Sequence, residues 1–299
     1  MRVAVTGAAG RLGSALVRAF TFETGAETIS WTRREFDLDD PATIYDLVRS
    51  SRPDLVIHAA AWTDVDGCAN EPDLAMARNG EATRVVAEAC AEAGVSLVTI
   101  STNEVFDGTR TDGKGYEFDD PVSPANPYGR SKLAGEQAAL EAFSAAKANS
   151  TARPALGIVR TAWLFGSGKP DFPKRIALAA RQASSEGRVL RVVTDEMGCP
   201  TWVPDVARAI VDLSRGDFEG THHIVNAGRA SRAEWAYDVL ERLGISVSIE
   251  EVRLDDFKRA SRPPRWGVLE PTPLPSGPLR PWQEAMAERA MDLASPATP

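Results

Sequence analysis

The chain begins Met1-Arg2-Val3-Ala4-Val5-Thr6 and passes directly into Gly7-Ala8-Ala9-Gly10-Arg11-Leu12-Gly13. The residues before the glycines suffice for one strand, and Leu12, Ala15, Leu16 and Ala19 then recur at helical spacing. A strand, a glycine loop and a helix form the context in which G-x-x-G-x-x-G holds a dinucleotide. A side chain at Gly7, Gly10 or Gly13 would keep a pyrophosphate from the backbone amides and from the positive end of the helix. Such a start commits the chain to a layered α/β structure, because the helix must cross over to a parallel strand.

The alternation continues. Thr28 to Trp31 reads as a strand, 41–50 as a helix, Asp54 to His58 as a buried strand, 80–93 as a helix and Val95 to Ile100 as a fourth strand. Pro127 suits the first turn of a helix over 128–147, and Ala155 to Thr161 reads as the next strand. This pattern predicts a Rossmann-type doubly wound parallel sheet with ligands at the carboxyl ends of its strands. Beyond it the segments 166–174, 196–204 and 263–281 are rich in breakers. We therefore expect a dinucleotide-binding domain over 1–162, rejoined by 203–226 through the amphipathic helix Val203 to Ser214. A smaller α/β substrate-binding cap is expected from 163–202 and 227–299, with the final A-S-P-A-T-P frayed.

Composition removes several function classes. No run approaches the roughly 18 apolar residues of a membrane span, and the opening residues leave no room for a secretory leader, so a cytoplasmic protein is expected. A formal charge of −8 argues against a nucleic-acid partner. Cys68, Cys90 and Cys199 lack paired spacing and read as reduced packing thiols. His58, His222 and His223 offer no metal site, since neighbouring side chains on a strand point to opposite faces; no metal is expected.

Tyr128 and Lys132, four apart at the start of the 128–147 helix, share one helical face. Ser101 and Thr102 bring hydroxyls to the carboxyl edge of the sheet, where the tyrosine also arrives. A tyrosine with a pKa of about 10 needs about 4 kcal/mol of differential stabilisation to act as an acid-base near neutrality. The Lys132 ammonium and an oxidised nicotinamide both carry the required charge. Thr102 would hydrogen-bond the substrate oxygen. The bland alternative is a capping tyrosine and a solvated lysine. The second strand ends Ser30-Trp31-Thr32-Arg33-Arg34, with arginines where a free ribose 2′-hydroxyl calls for an acid. Arg33 and Arg34 therefore point to NADPH, with NADH left open as the alternative cofactor.

With these residues in place, the chain resembles the extended short-chain dehydrogenase/reductases, and within them the dTDP-4-dehydrorhamnose reductase branch. The resemblance rests on G-A-A-G-R-L-G at 7–13, A-A-A-W-T-D-V-D at 59–66 with Glu71-Pro72, S-T-N-E-V-F-D-G at 101–108 and P-A-N-P-Y-G-R-S-K-L-A-G-E at 124–136. R-T-A-W-L-F-G at 160–166 and G-C-P-T at 198–201 extend it. It implies reduction of the 4-keto group of a nucleotide-linked 6-deoxysugar, with hydride from nicotinamide and a proton from Tyr128. It also implies cofactor contacts at Gly10, Arg11, Leu12, Asp37, Leu38, Ala60, Ala61, Tyr128 and Lys132, and substrate contacts at Thr102, Asn103 and Trp163, although Trp163 also suits a core position.

Two departures matter. The family reads S-T-D-Y-V-F where this chain has Asn103 and Glu104, which removes a charge and an aromatic surface near the sugar. Some members bind Mg²⁺ at a dimer interface through a glutamate where this chain has Ala15, so neither that metal nor that dimer is expected, while another homodimer stays open. The expected partner is a nucleotide-linked keto-sugar, with neither nucleic acid nor membrane. Arg262 and Arg265 in R-P-P-R are candidates for its pyrophosphate, or solvated loop charges. The alternatives are a nucleotide-sugar epimerase or dehydratase using Glu104, and a non-catalytic NADP-binding regulatory subunit.

Overall fold

The computed structural model describes residues 1–149, 154–216 and 218–294; of the terminus expected to fray, 295–299 lie outside the described residues. Strand β1 (Arg2–Thr6) leads through α1 (Arg11–Thr24) to β2 (Glu27–Trp31), paired in parallel on one side of it. A 3-10 turn at Pro41–Thr43 and helix α2 (Ile44–Ser51) then return the chain to β3 (Leu55–His58), parallel on the other side. This reversal of strand order opens a crevice outside the carboxyl ends of β1 and β3, directly at the glycine loop.

After β3, short helices α3 (Val65–Asn70) and α4 (Pro72–Ala75) and a π-helical turn at Met76–Glu81 precede α5 (Ala82–Glu92). One helix over 80–93 was expected; helical backbone instead begins at Val65, broken where Pro72 starts a new turn. Strand β4 (Ser96–Thr102) runs two residues further than the periodicity predicts, so Ser101 and Thr102 pair with Arg160 and Thr161. Helix α6 (Pro127–Asn149) and strand β5 (Leu156–Thr161) complete this half.

Alternation sorts the strand residues between two layers. Val3, Val5, Leu55, Ile57 and Val98 face α1, while Ala4, Val56 and Leu97 face α2, α5 and α6. Phe20 and Phe143 anchor the two layers, and burial of each contributes about 2–3 kcal/mol.

The remaining chain is built from short pieces. Strand β6 (Leu164–Phe165), helix α7 (Phe172–Ser185) and strands β7 (Leu190–Val193), β8 (Met197–Gly198) and β9 (Thr201–Trp202) precede α8 (Val203–Leu213). Val206, Ala207 and Ile210 of α8 share a cluster with Leu12 and Leu16 of α1, so this helix packs back on the main sheet. Strand β10 (Gly220–His223) then adds to β5, completing a parallel sheet in the order β10-β5-β4-β3-β1-β2. Next come β11 (Ala230–Ser231), α9 (Arg232–Arg242), β12 (Ile249–Val252) and α10 (Trp282–Ala294). Trp202, Trp235, Trp282 and Met286 join Phe165 in a second core beneath them. Cys68, Cys90 and Cys199 are buried free thiols. Among the described residues, no helix is long and apolar enough to cross a membrane.

Candidate active site

The glycine loop is shaped by close backbone contacts. Gly7 adopts φ 64°, and a Cβ there would lie 2.9 Å from the backbone N and Cα of Ala60. At Gly13 a Cβ would lie only 2.1 Å from the Gly7 carbonyl oxygen, so helix and loop meet without room for a methyl group. Gly10 caps α1 without any side-chain hydrogen bond, leaving the N–H groups of the first turn to an incoming anion. Thr6 Oγ1 accepts from the Ala60 amide at 3.1 Å, which holds Ala60 and Ala61 beside the loop. Bare backbone facing a helix N-terminus fits a dinucleotide pyrophosphate. Leu12 is buried in the core, and the Arg11 guanidinium donates to the carbonyls of Leu164 (3.2 Å) and Lys169, tying the loop to the second half of the chain.

Beyond β2, Arg33 pairs with Asp37 at 3.2 Å and Asp39 at 3.5 Å. Leu38 lies half-buried against the core between them. Arg34 is exposed and forms no ion pair among the described residues.

Thr102 ends β4, and Pro127 starts α6 so that Tyr128 and Lys132 occupy its first turns; all three side chains are buried. Asn126 fixes this entry, its Oδ1 accepting from the Gly129 amide at 2.8 Å. Burial raises the Tyr128 phenol well above its usual range, the charge of Glu104 adds to this, and the Thr102 hydroxyl, hydrogen-bonded to it, acts in the opposite direction. Burial lowers Lys132 to about 8, opposed by Glu136. His58 falls to about 3 through burial and then through Lys132; its ring joins Thr6 Oγ1 at 2.9 Å and Thr83 Oγ1 at 3.3 Å.

Several residues at this site were not anticipated. Asn79, on the π-helical turn, accepts from the Trp62 amide at 2.8 Å and donates to the Trp62 carbonyl at 3.0 Å and to Ser131 Oγ at 3.1 Å. Ser131 Oγ in turn donates to the Tyr128 carbonyl at 2.8 Å, so the turn braces the tyrosine. π-Bulges often mark functional positions; the sequence signal was Asn79-Gly80 inside a helical pattern. Glu136, buried, receives Arg160 at 2.7 Å and the Ser101 hydroxyl.

Trp163 has φ 43°, a conformation that is strained for a bulky residue. Its ring stacks parallel to Trp235 at 5.7 Å and lies under Arg232 at 3.6 Å, while Gly198 leaves space for it. Arg265 pairs with Asp195 and Asp255, each at 2.6 Å, whereas Arg262 is exposed and its carbonyl accepts from Asn126 at 3.2 Å.

The model of the RmlD substrate binding domain matches residues 1–295. The chain belongs to this family. It is 36% identical over 296 residues to the dTDP-4-dehydrorhamnose reductase of Streptomyces griseus, a match covering 95% of this chain and 91% of that protein. Among solved structures, the dTDP-4-dehydrorhamnose reductase of Clostridium acetobutylicum superposes with a TM-score of 0.86 at 29% identity, covering 98% of this chain and 99% of that one. The Bacillus anthracis enzyme, solved in complex with NADP, gives a TM-score of 0.84 at 30% identity with the same coverage.

This RmlD-family chain uses Asn103 and Glu104 structurally. Asn103 Nδ2 donates to the Gly267 carbonyl at 3.1 Å, a bond that a carboxylate could not make. Asn126 Nδ2 donates to the Glu104 carboxylate at 2.6 Å, and burial raises Glu104 to about 7. Asp66 accepts from the Ser261 amide at 2.8 Å and from Arg259 at 3.1 Å. The segment 259–267 is thus tied to α3 by Asp66, to the end of β4 by Asn103 and to the start of α6 by Asn126.

Proposed function

We propose that the protein reduces the 4-keto group of a dTDP-linked 6-deoxysugar. The observation that carries this reading is the convergence of Thr102, Tyr128 and Lys132 at the carboxyl edge of the sheet, beside a glycine cradle that excludes side chains. Relatives named as dTDP-4-dehydrorhamnose reductases support the substrate class. The loop at Gly7, Gly10 and Gly13 would hold NADPH, with Arg34, unpaired among the described residues, beside its 2′-phosphate and Arg33 nearby but paired with Asp37 and Asp39; the bound cofactor would supply the hydride.

Thr102 holds the ketone oxygen close to the Tyr128 phenol. With its pKa raised, Tyr128 is fully protonated at neutral pH and so presents the form that donates. Its proton passes to the sugar oxygen, and the charge of Lys132, one turn further along α6, stabilises the phenolate left behind. We assign Asn103 and Glu104, which directly follow Thr102, to the sugar side of the site. We assign Trp163, packed between Arg232 and Gly198, to the substrate side as well. This reading places the enzyme in the cytoplasm and gives it no nucleic-acid partner, in keeping with the formal charge of −8.

The test is NADPH oxidation by the purified chain across a panel of dTDP-linked 4-keto sugars. We expect turnover with the 6-deoxy substrates, and in Tyr128→Phe a loss of roughly 10²- to 10⁴-fold in kcat with unchanged NADPH affinity. Protein recovered with tightly bound oxidised cofactor and no net NADPH consumption would overturn the reading in favour of an epimerase.

A further inference from the structure

The three arginines around the end of β2 are held very differently. Arg78 clasps Asp39 with both ends of its guanidinium, Nε to Oδ1 at 2.5 Å and a terminal nitrogen to Oδ2 at 2.7 Å, and it lies 5.3 Å over the Trp62 ring. Asp39 is therefore anchored from outside its own loop. Its Oδ2 also faces Arg33 at 3.5 Å, and Arg33 is bound a second time by Asp37 at 3.2 Å. Arg34 has no such restraint: among the described residues its one hydrogen bond is from its backbone amide to Thr32 Oγ1 at 3.3 Å. The neighbouring Glu35 is engaged with the Thr32 amide and hydroxyl, at 2.9 and 2.5 Å.

We propose that Asp39 tunes the discrimination between NADPH and NADH: clamped by Arg78, it joins Asp37 in holding Arg33 back, leaves Arg34 as the principal reader of the 2′-phosphate, and opposes that phosphate with its own charge. This rests on the dinucleotide-reductase reading above. A phosphate monoester carries about −1.5 to −2 charges near neutrality. Converting Asp39 to its isosteric amide removes a like charge and loosens Arg33, which then has Asp37 as its one remaining carboxylate partner among the described residues; the two effects have the same sign. NADH carries no phosphate at that position, so its affinity moves little.

The experiment is calorimetric titration of the full chain with NADPH, NADH and 2′,5′-ADP, the last reporting phosphate binding without turnover. Asp39→Asn should tighten NADPH and 2′,5′-ADP roughly five- to tenfold (a factor of ten being about 1.4 kcal/mol) and leave NADH unchanged. Arg34→Ala should weaken both phosphate-bearing ligands at least about tenfold and spare NADH. Asp39→Ser provides a second variant in case the amide perturbs the loop, and thermal melting confirms that each variant is folded. If Arg34→Ala loses 2′,5′-ADP while both Asp39 variants bind like wild type or more weakly, the role of Asp39 is refuted and the cofactor reading stands. If wild-type protein binds NADH more tightly than NADPH and ignores 2′,5′-ADP, the phosphate reading itself fails, and the role of Asp39 with it.

Discussion

Gly10 caps α1 and Gly13 lies in its first turn, and alanine should act on them through different physics. A Cβ at Gly13 meets the Gly7 carbonyl oxygen at 2.1 Å and its carbon at 2.7 Å. Carbon–oxygen contacts settle near about 3.3 Å, so α1 must retreat by about 1 Å or the loop must deform, and no side-chain rotamer can relieve backbone against backbone. Overpacking of this kind costs about 1–3 kcal/mol, which in a chain of this size lowers Tm by roughly 2–10 °C. At Gly10 the added Cβ reaches that same oxygen at 3.0 Å, and its φ of −75° is open to any residue. Stability should therefore stay within about 0.5 kcal/mol. Yet the new methyl group stands on the exposed side of the loop, where a pyrophosphate must approach the helix N-terminus. Gly10→Ala is expected to melt like wild type and to bind NADPH at least about tenfold more weakly. Gly13→Ala is expected to lose both stability and affinity. Differential scanning calorimetry and titration with NADPH check both. A Gly10→Ala protein with wild-type affinity, or a Gly13→Ala protein with wild-type Tm, would refute the steric account.

Three further outcomes follow from the buried titratable groups. Lys132 falls from 10.5 to about 8 in the folded chain, so between those values the unfolded chain holds a proton that the fold has shed, and stability should rise with pH across that window. Lys132→Met should abolish this rise and gain about 1–3 kcal/mol at neutral pH while losing activity; a variant less stable than wild type in urea melts contradicts this. His58, at about 3 when folded against 6.5 unfolded, makes the protein lose up to about 1.4 kcal/mol per pH unit below 6.5. His58→Gln should flatten part of that slope, and an unaltered acid transition would rule the group out. Glu104 reaches about 7 and, when ionised, raises the Tyr128 phenol further. Reduction should therefore slow as pH climbs through 7, and Glu104→Gln should flatten the kcat profile between pH 6 and 8; the same inflection in the variant would clear Glu104 of the role.

The layered half of the fold was legible because its signals are local. Apolar runs such as Leu55–His58 and glycines at the end of β1 sit within a few residues of the structure they specify. The segment 65–81 was not legible, since Gly67 and Pro72 break the helical pattern that tertiary packing nevertheless maintains. Nor was the second core, where Phe165, Trp202, Trp235 and Trp282 converge from irregularly spaced positions. At the site, Thr102, Tyr128 and Lys132 carry their own spacing. Asn103 does not disclose its partner Gly267, 164 positions away, and two adjacent arginines look equivalent until Asp39 is seen to hold only one of them.

The spacing of Lys132 and Glu136 illustrates why such partners decide function. On a helix, a lysine and a glutamate four apart normally form a local pair that neutralises both. Here β5 delivers Arg160 to the Glu136 carboxylate at 2.7 Å and β4 delivers the Ser101 hydroxyl, so both oxygens are engaged by other groups. Among the described residues the Lys132 ammonium takes no hydrogen bond or ion pair, and Glu136 reaches it only through space. A buried ammonium without a direct partner is costly to the fold, and that cost leaves a positive charge one turn from Tyr128 that Glu136 offsets only through space. On the proposed mechanism the Arg160–Glu136 pair would act on the reaction indirectly, by keeping the lysine from a partner that would take its charge from the phenolate.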